Sequence, residues 1–102
     1  MNISDQYQQI IFPLSQDLKM KAQIESLRFE KTLYQLNIDY LTKKITEQEK
    51  YKVDNTSEDN ICLCNLNIKE FEVKIMDYQV KMKLCDIKIS REEFNLKNYK
   101  SV

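Results

Sequence analysis

The chain has 102 residues, 16 Lys plus Arg balanced by 16 Asp plus Glu, one Pro, three Cys, and neither Gly nor His. That length supports at most one small core, and the missing Gly removes the tight hairpins, phosphate-cradling loops and dinucleotide-binding turns that depend on it. Eight basic and seven acidic residues up to position 53, then eight and nine after it, leave no basic arm of the kind that binds nucleic acid.

The amino terminus, Met1-Asn2-Ile3-Ser4-Asp5, has no basic stretch leading into an apolar one, and no apolar run approaches the roughly 20 residues that span a bilayer. An intracellular, cytoplasmic protein without a membrane span is expected. Pro13 pushes Phe12 away from helical angles, which predicts a break near residue 12 and a separate short segment over 1–12. Ser4 and Asp5 are candidate openers for that segment. The first long helix is expected over 14–52, opened by Leu14 or Ser15 with Asp17 in its first turn, where the helix dipole favours an acid.

Along this helix apolar residues recur every three or four positions: Met20, Ile24, Leu27, Tyr34, Ile38, Leu41 and Ile45, with Lys31 as the charged interruption. Such spacing keeps one stripe in line and reads as a coiled-coil seam. A loop is expected over 53–60, because the short polar side chains of Asp54-Asn55-Thr56-Ser57-Glu58-Asp59-Asn60 compete with the helix for backbone hydrogen bonds. Asn55 with Glu58, or Thr56 with Asp59, are the candidate capping boxes for a second helix.

That second helix is expected over 61–99. Alternating steps of three and four from Ile61 reach Cys64, Ile68, Phe71, Ile75, Tyr78, Met82, Cys85, Ile89, Glu92, Leu96 and Tyr99, so eleven of twelve seam positions are apolar or aromatic. With Ile61 as position a, position g carries Lys74, Lys81 and Lys88, while position e carries Glu72, Gln79, Asp86 and Glu93. Opposed charge columns of this kind flank coiled-coil seams. Position f should face water in a two-stranded coil. Here it reads Leu66, Val73, Val80, Ile87 and Phe94, one apolar residue per heptad on the side opposite the seam. The first helix repeats this in part through Ala22, Phe29 and Leu36, with Leu33 and Tyr40 nearby, until Lys43 and Lys50 end it.

The sequence therefore predicts an all-α helical hairpin forming a coiled coil or bundle within an oligomer. The alternative is an α+β fold in which the 61–90 region forms antiparallel strands, since residues 76–84 alternate apolar and polar without error. The alternation slips phase at Ile75-Met76 and at Leu84-Cys85, however, with no Gly, Pro or Asn-Gly to turn the chain, whereas the seven-residue repeat runs through both slips.

Little in the chain points to chemistry. Cys64 and Cys85 lie at d positions 21 residues apart, too far along one helix to pair, and are expected to pack as small apolar residues. Cys62 lies off the seam. A zinc site lacks His and the usual Cys spacing, so neither a metal nor a cofactor is expected. Carboxylate pairs such as Glu92-Glu93 and Glu70-Glu72 read as solvated faces, and two long helices offer no cleft for acid-base catalysis. The expectation is a non-enzymatic interaction or assembly subunit: the a and d seam joins its own arms or a partner's, and the f column offers a second docking face. Its partner is protein, either self or another chain, rather than nucleic acid. The alternative is a small regulatory inhibitor or adaptor that occupies a groove on a protein target.

Overall fold

The computed structural model describes residues 3–55 and 57–101, with side chains described over 15–55 and 57–99. It consists of two α-helices, α1 (Ile3–Asp54) and α2 (Glu58–Ser101), joined by a three-residue connection into a helical hairpin. No strand occurs among the described residues, so the antiparallel-strand alternative for 61–90 does not hold. An apolar f, a, d pattern puts residues two apart on opposite sides of a helix. It therefore imitates strand alternation over short windows while keeping its period of seven.

Helix boundaries differ from expectation at four points, one of them the end of α2 at Ser101 instead of residue 99. The helix does not break at residue 12, since α1 runs from Ile3 through Pro13 to Asp54. Proline in a helix interior removes one N–H and crowds the preceding turn, a cost of about 3 kcal/mol that the other positions of a 52-residue helix outweigh. The side chains of Ser4, Asp5 and Leu14, the expected caps, lie outside the described ones. The loop is also shorter than 53–60, because Val53 and Asp54 are helical and α2 begins at Glu58.

The cap of α2 is Ser57, one residue beyond the expected candidates; the Thr56-Asp59 box lies outside the described residues. The Ser57 carbonyl accepts the N–H of Ile61 at 3.0 Å, and its hydroxyl accepts the N–H of Asn60 at 3.5 Å. Asn55, expected to cap with Glu58, instead closes the turn. Its side-chain oxygen accepts the Ser57 N–H at 3.0 Å and the Asn60 side-chain amide at 3.5 Å. Glu58 and Asp59 in the first turn of α2, and Lys52 in the last turn of α1, complement the two dipoles. No described residue has positive φ.

The hairpin divides into two compact units, one of residues 31–84 and one of residues 1–30 with 85–102. In the 31–84 unit the arms run antiparallel: Lys52 donates to Asn65 at 3.0 Å, Asn67 to Gln48 at 3.4 Å, and the rings of Tyr34 and Tyr78 lie 5.8 Å apart. Ile38, Leu41, Cys64 and Ile68 are its buried apolar residues. In the other unit Ile24, Leu27 and Cys85 are buried, and Arg28 reaches Glu93 at 2.9 Å. Among the described residues no helix is long and apolar enough to cross a membrane.

Candidate protein-docking face

On α2 burial follows the heptad position by position. Cys64, Ile68 and Cys85 are buried, and Ile61, Phe71, Ile75, Tyr78, Met82, Ile89, Glu92, Leu96 and Tyr99 are half-buried. Apart from these, every residue between 61 and 99 is exposed except Asn67. On α1 the stripe holds Ile24, Leu27, Ile38 and Leu41 as buried residues, with Met20, Lys31, Tyr34 and Ile45 half-buried.

That α1 stripe extends past Ile45 at the same spacing through Gln48, Lys52 and Asn55, all half-buried and polar. Periodicity of apolar residues could not find them. Their signal is position alone, continuing the steps of three and four that lead through Leu41 and Ile45. Gln48 and Lys52 are also the α1 residues hydrogen-bonded across to Asn67 and Asn65. At the opposite end of the stripe, Asp17 is half-buried and pairs with Lys21 at 3.0 Å.

Lys81 reads in the sequence only as a flanking charge. Its ammonium sits 6.0 Å from the ring centre of Tyr34 and 5.4 Å from that of Tyr78, within cation–π range of both, and 3.2 Å from Asp77. On α1, Lys44 lies 5.4 Å over the Tyr40 ring and donates to Glu47 at 3.4 Å. That hydrogen bond, and then the charge of the same carboxylate, raises the pKa of Lys44 above its ordinary value.

The f column is bare throughout. In the 31–84 unit Leu66, Val73 and Val80 are 58%, 65% and 56% exposed, and in the other unit Ile87 and Phe94 are 56% and 64% exposed. A helix packed on one partner covers one stripe, so the residues on its far side stay in water whatever their polarity. Leu63, Met76 and Leu84 widen the exposed face of α2, and Leu33, Leu36 and Tyr40 form a shorter one on α1. Between Leu66 and Val73 lies a shallow, mainly apolar groove of about 450 Å³, lined also by Lys69, Glu70 and Lys74.

The three cysteines are free thiols, Cys62 exposed and Cys64 and Cys85 buried. Among the described residues no group of three or more His, Cys, Asp or Glu is gathered as a metal would require. The arrangement offers hydrophobic contact flanked by charge. No protein-family model matches the chain, and neither a curated protein nor a solved structure is detectably similar to it.

Proposed function

We propose that the chain is a non-enzymatic assembly subunit that closes its seam internally and docks protein on the outer, f-column face of α2. The observation that carries this reading is the exposure of all five f residues beside a covered seam on the same helix. The pattern cannot come from helix amphipathicity alone, since an amphipathic surface helix presents charged or polar residues where these five stand.

One magnitude supports it. Covering five f side chains contributes on the order of 10 kcal/mol before the entropy costs of association, the term that favours docking on this face. Left in water, an apolar stripe of this length promotes aggregation.

The test is the combined substitution of Val73, Val80 and Ile87 by Gln, which removes apolar character and leaves the seam untouched. Circular dichroism should show unchanged helicity, while sedimentation of the pure chain, or its recovery with its native complex, should show loss of association. Unchanged association in both measurements would rule out the f column as the docking face.

A further inference from the structure

The charges bordering the f column identify what fits it. In the 31–84 unit each f residue is followed three positions on by Lys69, Met76 or Lys83, and four positions on by Glu70, Asp77 or Leu84. At 100° per residue the first set lies on one side of the column and the second on the other. One border is therefore basic and apolar, and the other acidic and apolar. Lys69, Lys83 and Glu70 form no ion pair among the described residues, while Asp77 is held 3.2 Å from Lys81.

The groove between Leu66 and Val73 has the form of a coiled-coil hole. Leu66, Lys69, Glu70 and Val73 stand at i, i+3, i+4 and i+7, the four positions that receive one side chain from a facing helix. Its rim carries Lys69 on one side and Glu70 on the other, with Lys74 further round on the Glu70 side. A helix that fills it well supplies an apolar residue every seven positions, with acid facing Lys69 and base facing Glu70.

We infer that the occupant is α2 of a second copy of this chain, packed parallel so that f meets f. A two-fold axis parallel to the helices turns the basic border of one copy toward the acidic border of the other, which sets Lys69 beside Glu70 of the second copy twice over. Antiparallel packing would set basic against basic and acidic against acidic. The outer face of α1 is a poorer occupant, because its column becomes Lys43 and Lys50 after Leu36. This inference rests on the f column being the docking face, and adds which surface covers it and in which direction.

Charge reversal in the full-length chain provides the test, read by sedimentation equilibrium. Wild-type chain should dimerise, and Lys69→Glu and Glu70→Lys should each weaken the dimer about tenfold, since two attractive pairs become two repulsive ones. An equimolar mixture of the two variants should restore association to at least the wild-type level. Independently, Val80→Cys in a Cys62→Ser background should form a disulfide with its own copy on mild oxidation; cross-linking of Val80→Cys only to a chain bearing Leu66→Cys would establish antiparallel packing and overturn the inference. A monomeric wild-type chain at high concentration, or no rescue in the mixture, would also overturn it. If self-association fails while the triple Gln variant still leaves its native complex, the column docks another protein, and only the second-copy inference falls.

Discussion

Cys64 and Cys85 are each 3% exposed, the least of the buried apolar residues, and both stand at d positions where a small thiol lets the facing helix approach closely. Their neighbours in the seam carry the folding energy. Ile68→Ala should cost about 2 to 4 kcal/mol in urea unfolding, since deleting a buried aliphatic side chain loses transfer energy and leaves a cavity. Val73→Ala, on the opposite face and largely in water, should change the stability of the isolated chain by under about 0.5 kcal/mol. A large loss for Val73→Ala in the monomer would mean that the column is covered within a single chain. The positions of both residue sets are legible in the sequence, because the seven-residue apolar period runs from Ile61 to Tyr99 with Glu92 as its one interruption. Gln48, Lys52 and Asn55 do not stand out, since their place in the stripe is marked by spacing and not by polarity. The cation–π contact of Lys81 with two rings is likewise hidden, because it depends on Tyr34 coming alongside from the other arm.

At the scale of the elements, local signals place the helices well and their ends less well. Pro13 reads as a breaker because a single residue's sterics are considered alone, yet it lies inside a helix whose remaining hydrogen bonds outweigh one lost bond. Pro13→Ala should therefore raise helicity and stabilise the chain, by up to about 3 kcal/mol, as measured by thermal melts with circular dichroism. No gain would show that the first turns of α1 do not share in the cooperative fold. The connection is legible as a class, short polar residues without glycine, but its cap is not. Asn55 and Ser57 are both acceptable caps, and the choice between them is made by the Asn55 side chain folding onto the Ser57 N–H. Ser57→Ala should destabilise the hairpin by roughly 0.5 to 1 kcal/mol in urea unfolding, the low end for a cap because its hydroxyl contact with Asn60 is long at 3.5 Å. Ser57→Asp should retain the stability.

At the scale of the molecule, one helix carries two apolar stripes and the chain itself fills only one. The hairpin can be read from the sequence because the two seams share a spacing and a single polar segment separates them. The place of the f column opposite the seam can be read as well, whereas how far each of its residues is exposed becomes visible only once the arms are paired. The most direct measurement is the thiol-labelling rate of Val73→Cys in a Cys62→Ser background, compared between the chain in its native assembly and the chain dispersed to monomers by dilution or separation from its partner. Slow labelling in the assembly and fast labelling in the monomer are expected; equally fast labelling in both would contradict docking on the outer face of α2.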